Sequence, residues 1–177
     1  AQRTLILGRA GTEEPVLFTV REDFSLGSSS NAWGPVNVNA DWNVLVANGK
    51  TLNVYGALNS SGRTITVGGE GFSGTLVLNN AANASMTAEW VITSGSTVRC
   101  MNNSALGSGL VTLDGGTLDF NSQTIGSTIT LNMSGTGTLQ NVTVDGAILS
   151  YTSSSGNDGI TASNTTWTSG KIDIGRL

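Results

Sequence analysis

Short runs of alternating apolar and polar residues recur along nearly the whole chain. Leu52 and Val54 alternate with Thr51 and Asn53, and Ile65 and Val67 with Thr64 and Thr66. Leu76/Leu78, Leu118/Phe120 and Ile129/Leu131 repeat the pattern. A period of two puts alternate side chains on opposite faces of a β-strand. No stretch of a dozen residues carries a 3.6-residue apolar period, and the abundance of Gly and β-branched residues opposes helix. The chain therefore reads as all-β.

The runs are copies of one another. Gly-x-Thr followed by aliphatic, any residue, hydrophobic occurs at Gly49–Val54 (GKTLNV), Gly62–Val67 (GRTITV), Gly95–Cys100 (GSTVRC), Gly115–Phe120 (GGTLDF) and Gly126–Leu131 (GSTITL). Ser73–Leu78 (SGTLVL) replaces the first Gly, and Thr136–Asn141 (TGTLQN) is a degraded copy. The threonines fall at 51, 64, 75, 97, 117, 128 and 138, a step of 10 to 13 residues that is doubled at two places. Blurred copies at those places still carry apolar strands, near Trp90–Ile92 and Leu110–Leu113. A strand of about five residues plus a turn of similar length accounts for the step. Asn48-Gly49, Asp114-Gly115 and Asp145-Gly146 are turn signals.

Two architectures suit this pattern: an antiparallel sandwich with tight hairpins, and a β-solenoid (parallel β-helix) in which each strand lies on its counterpart in the next coil. Three features favour the solenoid. The period is nearly constant. The same Thr-aliphatic pair returns at the same strand position, as stacking of like residues requires. The polar residues between strands are Asn, Ser and Thr rather than charges. With two or three strands per coil, one coil takes roughly 20 to 33 residues.

Ser108–Phe120 (SGLVTLDGGTLDF), with the flanking GSTVRC and GSTITL units, resembles the autotransporter-associated β-strand repeat over about residues 45 to 145. The resemblance implies a parallel β-helix with an adhesive or structural role in secreted and surface passenger proteins of Gram-negative bacteria. The outer-membrane barrel that such passengers carry is not among these 177 residues. Phage tail proteins share the same Gly/Thr/Leu alternation.

The ends differ from the middle. Residues 1–23 hold seven of the 20 charged residues and two apolar runs, and 24–35 read as a loop. Residues 1–35 thus form a strand-rich N-terminal cap or assembly arm, 36–149 the solenoid repeats, and 150–177 a last coil or docking segment. A cap would cover the unpaired edge of the solenoid, whereas an arm would add a strand to a neighbouring subunit. The candidate assembly residues are Leu5, Leu7, Val16, Phe18 and Val20.

Composition narrows the function. Gly, Ser, Thr and Asn fill 85 of 177 positions, charged residues only 11%, and His is absent. A net charge of −4 with scattered cations argues against nucleic acid as a partner. Without His there is no His-based acid–base chemistry or His-ligated zinc, and one Cys forms no internal disulfide or Cys-cluster metal site. No apolar run reaches the length of a transmembrane helix, and no signal peptide is legible at Ala1, as in a processed chain or a fragment of a longer one.

Candidate chemistry is thin. Asp114, Asp119 and Asp145, with Arg99 as the central cation, are the carboxylates a polysaccharide-cleaving β-helix would draw on, but turn formation explains Asp as well. Asp119 is expected to face outward between inward Leu118 and Phe120. Gly68–Gly71 (GGEG) lacks the Asp of a calcium loop and the Lys of a phosphate loop. Trp33 and Trp42 are expected to plug the N-terminal end of the core, with Trp90 and Trp167 in packing roles rather than on a sugar-binding face. Cys100 takes a hydrophobic slot and is expected to be buried and inert. Six Asn-x-Ser/Thr sequons, at Asn59, Asn83, Asn102, Asn132, Asn141 and Asn164, are no more than chance gives in so Ser/Thr-rich a chain. The reading is a non-enzymatic structural protein without catalytic, metal or cofactor residues. Its place is outside a cell or on its surface, as an adhesin-like module or subunit that assembles with copies of itself, with surface glycans as further partners. The alternatives are a bacteriophage virion component and a polysaccharide-binding or polysaccharide-cleaving β-helix.

Overall fold

The computed structural model describes residues 4–8, 14–30, 34–80, 83, 85–153 and 158–176. These contain thirteen strands and no helix, and all the paired strands run parallel. Antiparallel pairing is confined to an isolated bridge between Gly69 and Phe72. The fold is a β-solenoid of about six turns, and the two-layer sandwich is excluded.

Each regular coil has three short strands, one along each side of a triangle. β1 (Leu5–Leu7), β2 (Val16–Val20) and β3 (Phe24–Leu26) form the first; β4 (Val36–Val38), β5 (Trp42–Val46) and β6 (Thr51–Val54) form the second. β7 (Leu58–Val67) turns a corner and supplies two sides of the third coil, closed by β8 (Thr75–Leu78). β9 (Thr87–Thr93) and β10 (Thr97–Cys100) follow, and then three long strands that wind through the corners: β11 (Leu110–Gly126), β12 (Thr130–Ser153) and β13 (Ile160–Arg176). The described strands of residues 1–35 are the outermost rung, each paired with a strand of the second coil.

The pairing register shows what the repeat encodes. Thr51, Thr75, Thr97, Thr117, Thr138 and Thr161 stand in one column on one side of the triangle, 20 to 24 residues apart. Beside them Phe24, Leu52, Leu76, Val98, Leu118 and Leu139 form an inward column, and those from Leu52 to Leu139 are buried. Thr64 stands on a different side, opposite Glu89. Trp90–Ile92 and Leu110–Leu113 are on that side too, in the column Trp42, Ile65, Trp90, Val111, Met133. The 10-to-13-residue step is therefore the passage from one side to another, and its double is the coil.

The third side is interrupted. β1, β4 and the start of β7 stack there, but the next two coils place no strand on it. Asn83, 1% exposed, spans the gap: its Oδ1 accepts from Leu58 N at 2.7 Å and its Nδ2 donates to Ala105 O at 2.8 Å. One side chain thus supplies the inter-coil bonds that a strand supplies elsewhere, because buried backbone groups must be paired. The side resumes with Gln123–Gly126 of β11.

Close stacking also sets residue type at corners. Gly135 has φ of +80°, and a Cβ there would overlap the Leu113 carbonyl oxygen of the coil beneath. Both the left-handed backbone and the contact exclude larger residues.

Two substitutions test this. Asn83→Ala removes both bridging bonds and should lower unfolding free energy by about 2–6 kcal/mol, since each of the two buried groups left unpaired costs about 1–3 kcal/mol. Leu118→Ala, which empties a site in the inward column, should cost about 2–5 kcal/mol. Denaturant titration followed by circular dichroism measures both, with exposed Asn59→Ala as a control expected within about 1 kcal/mol of the parent.

Candidate functional site

The residues singled out in the sequence fall into three places. The first is the outer rung. Leu5, Leu7, Val16, Phe18 and Val20 all point inward, paired with Val36, Val38, Trp42, Val44 and Val46 of the second coil. Leu7 and Val20 are buried, whereas Leu5, Val16 and Phe18 are only partly covered. Phe18 packs edge-on against Trp42, with ring centroids 6.3 Å apart, and tilted against Phe24 at the same distance. Trp42 therefore lies in the second coil under this aromatic group; Trp33 lies outside the described residues. These five side chains are the floor of the core.

The second place is the carboxylates. Asp114 is exposed at the end of one strand segment, opposite Thr93 and Thr136. Asp145 is on another side of the triangle and accepts from Ser169 Oγ at 2.8 Å. Asp119 does lie in the outward column, between Arg99 and Gln140, but it is only 1% exposed. It accepts from Arg99 Nε at 2.9 Å, from the backbone N of Asn121 at 2.8 Å and from Asn141 Nδ2 at 2.9 Å. Asn164 Nδ2 in turn donates to Asn141 Oδ1 at 2.7 Å. Asn121, Asn141 and Asn164 all have left-handed backbones, with φ of 49°, 53° and 48°. Asn tolerates that conformation better than most residues. The three form a corner ladder, and Asp119 anchors its lower end.

Burial alone would raise the Asp119 carboxyl, but the bonds from Asn141, Asn121 and Arg99 outweigh it and hold the group below the ordinary carboxylate range. A carboxylate so held is a structural acceptor: its lone pairs are taken and its proton affinity is lowered, the reverse of what a general acid needs. Cys100 is fully buried, and burial, with the Asp119 charge added, pushes its thiol far up. Among the described residues, no three of His, Cys, Asp and Glu gather as a metal site, and no helix is long and apolar enough to cross a membrane.

The third place was not singled out in the sequence. Where the third side is interrupted, a groove of about 460 Å³ opens beside the edge of β7, lined by Asn37, Asn39, Asn59, Ser60, Arg63 and Ser85 over a floor of Val38, Leu58 and Met86. Asn59 Nδ2 donates to Asn37 Oδ1 at 3.1 Å. Ser60 is buried, and its hydroxyl has no hydrogen-bond partner among the described residues. Its signal in the sequence is an omission, the lack of a strand-like run at 79–86 and 101–109.

No protein-family model, curated protein or solved structure matches the chain.

The Asp119 knot has a pH signature. Its folded pKa lies below the unfolded value of about 3.9, so its stabilisation is complete above that value and is lost as pH falls through the folded pKa. Melting temperature followed between pH 7 and pH 2 should fall on acidification, and Asp119→Asn should lower it at pH 7 while flattening the acid slope. Cys100 should react with a thiol reagent only after denaturation.

Proposed function

We propose that the chain is a non-enzymatic structural subunit of a cell surface or extracellular assembly, a rod that stacks end to end with copies of itself. One observation carries this reading: both end rungs leave inward apolar positions uncovered. At one end Phe24 is 47% exposed, although it heads the column whose next member, Leu52, is buried. At the other end Trp167 is 39% and Ile172 56% exposed, above Val144 and Leu149. Among the described residues neither outer rung has a strand on its far side.

A parallel solenoid is self-complementary along its axis. The first and last rungs both carry strand on all three sides, with the same alternation of donors and acceptors, so the last rung of one copy suits the first rung of another. Such a contact is heterologous and extends without closing. Leu5, Val16 and Phe18 would then meet the Trp167 and Ile172 end of a neighbour. The resemblance to the passenger repeat, the low charge and the Asn/Ser/Thr surface are consistent with an external scaffold. Asp119 held as a bond acceptor adds to the case against catalysis.

Light scattering across a concentration series tests the assembly. Mass should rise above the 18.1 kDa of one chain without reaching a plateau at a small closed oligomer. Ile172→Asp, at an exposed position, should keep the β circular dichroism spectrum and hold the chain as a monomer. A parent chain that stays monomeric throughout would sink the reading.

A further inference from the structure

We infer that the groove beside β7 is a binding site for an acidic sugar unit, such as a uronic acid within a glycan. This goes beyond the assembly reading and stands whether or not the rods stack.

The charge in the groove comes first. Arg63 is the one charged residue among those that line it, in a chain of net charge −4. Arg63 is half-buried, and its guanidinium makes no ion pair or side-chain hydrogen bond among the described residues. The acids nearest by register are Asp41 and Glu89, which flank the adjacent Thr64. Asp41 is engaged by Thr64 N at 3.0 Å, and Glu89 is exposed to solvent. A planar fork of donors held without an acid partner matches a carboxylate.

The remaining groups suit a sugar. Ser60 Oγ is buried without a partner, and a polar group in that state gains most from a ligand hydroxyl. Since Asn59 donates to Asn37, the Asn37 Nδ2 and the Asn59 Oδ1 stay available as donor and acceptor. Val38, Leu58 and Met86 give an apolar floor for ring C–H groups. The volume is within the roughly 300–1,000 Å³ of small-molecule sites. On the upper edge of β7, Leu58 bonds to Asn83 and pairing with β9 begins at Ser61, so Asn59 and Ser60 lie between the two, and the same interruption that requires Asn83 also makes the groove.

Calorimetry on the purified chain, with trigalacturonate, a neutral trisaccharide and acetate as probes, tests the assignment. Amide shift perturbation at residues 37–39, 58–63 and 85–86 reports the location. Trigalacturonate should bind and perturb those amides. Arg63→Gln should weaken it at least tenfold, with Arg63→Lys intermediate and Ser60→Ala several-fold weaker, while all three keep the parent circular dichroism and the parent light-scattering behaviour. Equal affinity for the neutral trisaccharide, or full affinity in Arg63→Gln, would remove Arg63 as the anchor and overturn the proposal. Acetate binding as tightly as the trisaccharide would reduce the site to a simple carboxylate site. Absence of trigalacturonate binding would overturn the site altogether. Repeating the titration on Ile172→Asp separates this result from assembly, because loss of stacking alone leaves the groove intact.

Discussion

Everything in this molecule depends on one constraint: each backbone hydrogen bond across the sheets joins residues about one coil apart, all in parallel register. A coil cannot slip by one residue without turning its apolar positions outward. That is why Thr51, Thr75, Thr97, Thr117, Thr138 and Thr161 keep their column although the coils differ by up to four residues in length. Variation in coil length is absorbed at the corners, where bulges occur between Asp119 and Gln123 and between Asp145 and Ile148. Stability is then close to a sum over neighbouring rungs, and a defect in one rung is felt mainly by the two rungs beside it.

Corners meet the constraint by different chemical means. Gly135 does so by having no side chain where the Leu113 carbonyl approaches. Asn121, Asn141 and Asn164 do so by accepting left-handed backbones, and Asn141 and Asn164 also bond to the coil beneath through their side-chain amides. At the foot of that ladder the charge of Asp119 serves as a bond acceptor for both chain and side chains. Asn83 extends the same device to a whole side of the triangle, replacing a missing strand with one amide.

How much of this is legible in the sequence depends on whether a feature repeats. The parallel solenoid, the inward Leu52, Leu76 and Leu118, and the buried Cys100 follow from alternation and period, because stacking demands like residues at like positions. The period alone does not say how many sides a coil has. Thr64 and Thr51 share a motif yet stand on different sides, so a single step of about eleven residues conceals a three-sided coil. Asp119 reads as outward and is so, but three donors from separate coils bury it, and spacing cannot show that. Asn141 and Asn164 stand out in the chain only as sequons; their distance of one coil from each other and from Asn121 is the signal that marks a ladder. The groove is illegible for the opposite reason. It arises where the repeat fails to deliver a strand, and its members at 37–39, 58–63 and 85–86 belong to three coils.

This contrast bears on where function can sit in such a scaffold. A regular side of the solenoid presents columns of like residues, and a column of threonines offers every ligand the same contact at every rung. Discrimination needs unlike groups converging on one point. The interrupted side supplies that convergence: a cation with no acid partner among the described residues, a buried hydroxyl without a bond among them and two amides face one cavity, while the intact sides hold the geometry fixed. On the assembly proposed above, the open ends would serve recognition of another kind, in which sameness is the requirement, since a copy would fit there only because its first rung repeats the outline of the last. If both proposals hold, periodicity suits the rod for joining its own kind, and the break in periodicity gives it a place to hold something else.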